Sequence, residues 1–433
     1  MLRLFLALLA LFLAGCYPGI FQTSLPLQTP VVATQVDTPL FPTTSPTLPP
    51  ESTQSGPQVL TIWLPPQFDP GNGSNAGALL QKQITDFMQK NPDIRVQVRI
   101  KAASGPGGLL ETLSAAAAAA PDALPSLVVL SRNDLETAAL KGLVYPLETL
   151  SQALIESDWY EYARQLSSIQ GTDFGLPFAG DALLILYRPE KAGQSPVTDW
   201  QSIMGRGQPL VFPAADPNAM VTLNLYLAAG GQITDAQQRP MLQGDVLSHV
   251  FSLYAEGARQ GCFPYWLAQY QTDGQAWEAY KEQRSSWVIT WVSHYLSDLP
   301  ADTSGVPLPA IAEQPLTLAS GWVWAISDPS PGRQAMAARL AEYLVESRFL
   351  AEWSMAAGYL PTRPSSLSLW PNQTLQSLLN QVVVGAQLRP SNDLMASLGP
   401  VLQDATLQVI KDQNDPVQVA QAAAERLNIP ETK

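Results

Sequence analysis

Few residues in this chain have the types and spacing that make or break bonds. There are two histidines, His249 and His294, and two cysteines, Cys16 and Cys262. The histidines stand in no recognisable metal or triad spacing, so neither zinc chemistry nor a Ser-His-Asp mechanism is supported. Aspartates and glutamates are plentiful but form no paired motif. A glycoside-cleaving enzyme would need two carboxylates roughly 5–9.5 Å apart across a cleft. The sequence therefore offers no catalytic residue, no metal site and no cofactor. What it does offer is 11 tryptophans and scattered planar polar side chains. Flat aromatic faces pack on the C–H faces of a sugar ring. Carboxylate, amide and guanidinium groups meet hydroxyls in fixed geometry. That is a chemistry of holding a solute.

Cys16 has a chemistry of its own. Arg3 opens the chain with a positive charge, and Leu4 to Leu13 is almost wholly apolar. This reads as a secretory signal over residues 1–15, too short to span a bilayer. Leu13-Ala14-Gly15-Cys16 resembles the lipobox of bacterial lipoproteins. The resemblance implies cleavage before Cys16, a thioether-linked lipid on its sulfur and an acylated new terminus, enough chains for a stable anchor. Residues 16–58 then read as a tether, with a disordered leader of no required reach as the alternative. Residues 17–57 are rich in Pro, Thr and Ser, lack Lys and Arg, and show neither helical nor strand periodicity. Such a stretch cannot offset its chain entropy by burial. Extended at about 3.1 Å per residue, it reaches on the order of 100 Å.

The body begins near Val59, and its length suits two domains. The full chain is 46% hydrophobic with a formal charge of -13, which argues against nucleic acid or anionic lipid as a partner. With Cys16 lipidated, Cys262 has no partner for a disulfide. In Gly261-Cys262-Phe263 it reads as a small buried hydrophobe, with a reactive thiol as the alternative.

The elements that must position these residues follow from periodicity. Val59–Leu64 reads as a buried strand, and Leu80, Ile84, Phe87 and Met88 fall on one helical face. Ile94, Val96, Val98 and Ile100 alternate with polar residues as a half-buried strand. Leu109–Ala120 reads as a helix and Leu127–Leu130 as a strand. A helix to Lys141 is expected to carry a capping box, Asn133 with Glu136, and Gly142 as its C-terminal cap. The alternation calls for a parallel sheet covered by helices. Beyond it, strands are expected at Ala182–Tyr187, Pro209–Phe212, Trp287–Trp291 and Leu316–Ile326. Helices are expected before Gly230, over Val246–Ala258 and over Arg333–Ser347, and from about Leu375 to the end.

Several segments in order resemble the extracellular solute-binding proteins of the family-1 type, the sugar-binding subunits of ABC importers. These are Leu60-Thr61-Ile62-Trp63, Phe87 through Asn91-Pro92-Asp93-Ile94-Arg95-Val96, and Leu140-Lys141-Gly142-Leu143 with Pro146-Leu147. Gly171 to Pro177 with Leu183 to Tyr187, Gly321 to Ser327, and Tyr359-Leu360-Pro361-Thr362-Arg363 complete the set. Arg188 stands where the family usually has Asn. The resemblance implies an α/β, two-lobed periplasmic-binding-protein-like fold with hinge strands and a ligand cleft between the lobes. Lobe 1 would comprise residues 59–180 and 317–365, and lobe 2 residues 181–316 and 366–433. Ala179, Gly180 and Thr317 would lie at the hinges, Gly180 for its backbone freedom.

The resemblance also implies where ligand is touched. Gln67 follows the first strand. Arg132 and Asn133 follow Leu127–Leu130 at the strand end that faces the crevice in open α/β sheets. Asp181 stands just past the first crossing, with a turn or capping carboxylate as its alternative. Asn218 and Thr222 lie in the second lobe, and Trp291 and Trp322 offer stacking faces, with burial in the core as the alternative. The segment Leu394–Gly399 lacks an aromatic that some maltose-type members carry, which argues against a long maltodextrin. The implied partners are a small carbohydrate-like solute and ABC permease subunits in the membrane. The implied state is a lipid-anchored monomer on the extracytoplasmic face. A ligand-sensing lipoprotein, or a carrier of a non-sugar solute, is the competing function.

Overall fold

The computed structural model describes residues 56–192, 199–312 and 315–428. The signal, Cys16 and most of the tether lie outside them. Strands run over Gln58–Leu64 (β1), Ile94–Ile100 (β2), Leu127–Ser131 (β3), Ser168–Ile169 (β4), Thr172–Asp173 (β5) and Gly175–Tyr187 (β6). They continue with Leu210–Val211 (β7), Trp287–Trp291 (β8), Ser304–Val306 (β9), Thr317–Ile326 (β10) and Ala386–Leu388 (β11). The helices are Asn75–Lys90 (α1), Leu109–Ala119 (α2), Arg132–Leu140 (α3), Glu161–Ser167 (α4), Pro189–Ala192 (α5), Trp200–Met204 (α6), Met220–Ala228 (α7) and Gly244–Arg259 (α8). The rest are Asp273–Lys281 (α9), Val292–Asp298 (α10), Pro331–Tyr343 (α11), Ser347–Ala357 (α12), Pro364–Ser368 (α13), Gln373–Val384 (α14), Asn392–Ile410 (α15) and Pro416–Asn428 (α16).

The main sheet has the order β2-β1-β3-β10-β6-β8-β7, with β11 added to β10 and β9 to β6. β1 pairs parallel with β2 and β3, as a strand–helix alternation requires. β10 is antiparallel to both β3 and β6. The alternation of side chains splits the first half of the core. Leu60, Ile62, Leu127, Val129, Trp324 and Ile326 face α1, α11 and α12. Val128, Leu130, Val323 and Ala325 face the other way, toward Leu113 of α2, Leu135 of α3 and Leu166 of α4. Among the described residues, only β6 and β10 are strands long enough to run from this half into the second, where α7, α8, α15 and α16 pack together.

Four local expectations change. The cap of α3 is Ser131, whose hydroxyl accepts from the Asp134 N–H at 3.2 Å, so Asn133 lies inside the first turn. β6 starts at Gly175, seven residues before Ala182, because antiparallel pairing with β10 extends it through Pro177. The helix expected over Arg333–Ser347 ends at Tyr343, and α12 is separate. The C-terminal part also contains β11, three residues whose only strand signal is their pairing with Thr317–Ala319. The Gly142 cap is found as expected, with φ at 65°.

Candidate functional site

The site is set by a β-bulge. Trp322 of β10 opposes Ala179 of β6, while Val323 opposes Pro177, so Phe178 has no partner across the ladder. A bulge shifts the inside–outside phase of a strand by one residue. Before it, Leu176 and Phe178 join the cluster of Trp324 and Trp353. After it, the same face of the sheet is carried on by Ala179 and Asp181. Cross-strand partners share a face, so Trp322 and Ser320 lie beside them. Ser131 opposes Trp322 from β3, and Trp291 opposes Leu183 from β8, on the same face again. Ser131, Trp322, Ser320, Asp181 and Trp291 are all half-buried, while their strand neighbours are almost all buried. This row crosses the whole ribbon. Strand geometry puts the Trp322 and Trp291 Cα atoms on the order of 15 Å apart, with Asp181 between them.

Asp181 is tied to α10. Its Oδ1 accepts from the N–H groups of Ala182 and Ser293, both at 3.0 Å, and its Oδ2 accepts from the Ser293 hydroxyl at 2.5 Å. The capping alternative is thus realised. Each carboxylate oxygen has two acceptor positions, so Oδ2 keeps one for a further donor. Loss of solvent pushes the Asp181 carboxyl up to about 7, against the lowering effect of these three bonds. Beyond it, Asp273 accepts from the Thr290 hydroxyl at 2.8 Å and pairs with His294 Nδ1 at 2.6 Å. Burial disfavours the charged imidazole, but Asp273 and then Asp181 carry the His294 pKa above its ordinary value.

The remaining expected residues scatter. Gln67 is exposed on a 3-10 turn, Pro66–Phe68, directly after β1, and its neighbour Phe68 meets Trp322 edge-on at 5.4 Å. Asn133 is exposed and uses its carbonyl to accept from Asn392 Nδ2 at 2.8 Å. Asn218 is exposed in the turn before α7, held by Asp216. Thr222 does not present itself to a solute. It is buried, and its hydroxyl contacts those of Tyr254 and Thr406 at 3.1 and 2.8 Å. An apolar helix buried nearly all round leaves a small hydroxyl to be satisfied inside. Arg132 is half-buried against Glu136 and the Ser168 carbonyl.

At the expected hinges, Ala179, Gly180 and Thr317 are all buried. Gly180 has no positive φ among those found. A Cβ there would lie 2.0 Å from the Tyr162 hydroxyl oxygen, so close approach of α4 explains the glycine.

Two residues of the row's surroundings escaped the sequence reading. Tyr359, half-buried, stacks on Trp353 and meets Phe68, and burial with the nearby Asp181 charge raises its pKa. Its signal was present, since it opens the Tyr359–Arg363 turn next to Gly358 at φ 73°. Ser293 carries no sequence signal, because its role depends on β8 ending beside Asp181. Cys262 is buried as expected, its thiol pushed up to about 12 by burial.

A sheet bridged by two long strands, with an aromatic and carboxylate row across the bridge, defines a two-lobed binding protein. The chain belongs to the bacterial extracellular solute-binding proteins, whose family profile matches residues 82–376. A comparison with curated protein sequences gives no match. Among solved structures, it is similar to the sugar-binding protein MalE from Xanthomonas citri. The identity is 18% and the TM-score 0.70, over 86% of this chain and 96% of that one. The cyclic alpha-maltosyl-1,6-maltose binding protein of Arthrobacter globiformis gives 16% and 0.70, over 86% and 98%. UgpB from Mycobacterium tuberculosis, solved with glycerophosphocholine, gives 15% and 0.65, over 86% and 98%. At such identities the likeness establishes the shared α/β fold, and the family places the chain outside the cytoplasm.

Proposed function

We propose that this protein captures a sugar or polyol between two lobes and delivers it to an ABC importer permease. The observation that carries the reading is the row on the crossing ribbon, a carboxylate with a free acceptor position flanked by two half-buried indoles. A ring of C–H faces and hydroxyls matches that arrangement better than an amino acid does. Solved proteins of the same fold are described as binding maltose-type sugars, which supports it. Residues 59–180 and 317–365 form one lobe and 181–316 and 366–433 the other. Ala179, Gly180 and Thr317 lie where the lobes turn on each other. Gln67 and Asn133 come from the first lobe and Asn218 from the second, and all reach the solute on closure. Solute contacts both lobes only when they are closed, so it shifts the population to that form. Cys16 carries the lipid anchor and residues 16–58 lift the monomer off the membrane. The protein binds and releases its solute unchanged, with no cofactor.

A thermal-shift panel of sugars, polyols, amino acids and peptides tests the reading. A matching solute at 100 times its Kd stabilises the native state by about 2.7 kcal/mol, and small-angle scattering should show a smaller radius with it. Stabilisation by amino acids or peptides alone would overturn the sugar assignment.

A further inference from the structure

Two strands meet head to head beside the crossing. β3 is antiparallel to β10 and runs from Leu127 opposite Ile326 to Ser131 opposite Trp322. β11 is parallel to β10 and runs from Ala386 opposite Thr317 to Leu388 opposite Ala319. Both lie along one edge of β10, and their C-terminal ends point at each other across Ser320 and Gly321. One comes from each proposed lobe. The residue following each strand is an arginine, Arg132 after Ser131 and Arg389 after Leu388. The Arg389 N–H continues the ladder by donating to the Ala319 carbonyl at 3.1 Å.

Of these two guanidinium groups, Arg132 is short of acceptors. Arg132 is 14% exposed, and its Nε and Nη1 are buried without a hydrogen-bond partner in the protein. Its Nη1 stands 3.5 Å from Glu136 Oε2, and its Nη2 donates a long bond, 3.3 Å, to the Ser168 carbonyl. Arg389 is half-buried and donates to Asn392 Oδ1 at 3.2 Å. Among the described residues, Glu136 is the carboxylate that acts on both, and its Oε1 is already taken by the Asn392 N–H at 3.0 Å. Burial lowers both arginine pKa values, and Arg132 lowers that of Arg389 further, as two like charges in reach of each other must. Two cations with one carboxylate leave an excess positive charge in a protein whose total is -13. Donors this buried cost stability unless something accepts from them.

We infer that the gap between the ends of β3 and β11 binds an oxyanion, a carboxylate or phosphate borne by the solute. This rests on the reading of the protein as a sugar or polyol carrier and narrows it to acidic members of that class. Guanidinium groups take such anions in paired hydrogen bonds. An anion here would accept from Arg132 of one lobe and Arg389 of the other, and remove the repulsion that opposes their approach.

The test uses the purified full chain and calorimetry at low ionic strength. Neutral sugars and polyols are compared with the matching uronates and sugar phosphates, and with inorganic phosphate alone. The acidic compounds should bind roughly tenfold or more tighter than their neutral counterparts. The preference should shrink as salt is raised. Arg389→Gln and Arg132→Gln should each bring the acid-to-neutral ratio down toward one. Equal binding of acidic and neutral sugars would overturn the anion subsite and leave sugar capture standing. Inorganic phosphate binding as tightly as a sugar phosphate would make this a free-anion site and overturn the claim that the solute carries the charge. No binding by any sugar, neutral or acidic, would overturn both readings.

Discussion

On one face of the crossing ribbon Gly180 and Gly321 lie opposite each other beneath α4. One residue along each strand, on the other face, Asp181 and Ser320 lie opposite each other and half-buried. A Cβ on Gly180 would strike the Tyr162 hydroxyl, and one on Gly321 would lie 2.4 Å from the Ala179 carbonyl and 2.7 Å from Leu166 Cδ1. The same strands therefore carry a face stripped of side chains for close packing and a face supplied with a carboxylate, a hydroxyl and indoles. The difference teaches that the period of two in a strand can separate stability from binding at single-residue resolution. The bulge at Phe178 decides which set of residues goes to which face.

The comparison breaks most easily on the packed side. Gly180→Ala and Gly321→Ala should each destabilise the fold by about 1–3 kcal/mol or more, as overpacking of a close contact does. Ser320→Ala, the neighbour on the open face, should stay within about 0.5 kcal/mol. Urea unfolding monitored by tryptophan fluorescence measures all three. A Gly180→Ala protein as stable as the parent would mean that α4 is not seated against the ribbon.

Much of the packed architecture could be read from the chain, and little of the open row could. Val59–Leu64, Ile94–Ile100 and Leu127–Leu130 announce themselves because each strand's hydrophobic period is decided by its own residues. The Gly142 cap is local in the same sense. Asp181 and Trp322 were singled out, but their common face depends on the unpaired Phe178, and a bulge is visible only once two strands are aligned. Ser293 meets Asp181 across 112 residues of sequence, and Arg389 meets Ala319 from a separate strand, so no local pattern marks them. Thr222 shows the converse error. Its place after a loop suggested a ligand contact, but seven of the nine residues of α7 are buried, and its hydroxyl is consumed by Tyr254 and Thr406.

The open face is sharpened next by Trp322. Its indole is half-buried, stands edge-on to Phe68 and joins the partly buried shell of the Trp324 and Trp353 cluster. Trp322→Ala should weaken binding of a solute from the panel about tenfold, through loss of an apolar contact surface. Its stability cost should fall below the roughly 3–5 kcal/mol of a fully buried tryptophan, because part of the ring already faces water. Calorimetry and thermal unfolding on the same sample separate the two effects. A full core-sized loss of stability with unchanged affinity would move Trp322 to the packed side of the comparison.

The smallest effect should come from Asp181, and its mark is its dependence on pH. Its carboxyl is raised from 3.8 to about 7 in the fold, first by desolvation. A carboxyl raised on folding favours the folded state in its protonated form. Its contribution to stability is fully present below about pH 4 and is lost as pH rises through about 7. Binding runs the other way. The ionised carboxylate accepts a solute hydroxyl more strongly than the neutral acid does, so affinity should rise several-fold between pH 6 and pH 8. His294, with Asp273 against it, is held above its ordinary value, so the parent profile contains both groups. Asp181→Asn keeps an oxygen for the Ser293 N–H and removes only one of the two titrations. Subtracting its profile from the parent's should leave a step near pH 7 from Asp181, of opposite sign in stability and in affinity, together with a smaller change from His294, which loses the Asp181 charge that raises it. A difference profile flat in affinity but stepped in stability would mean that the Asp181 carboxylate holds α10 and touches no solute.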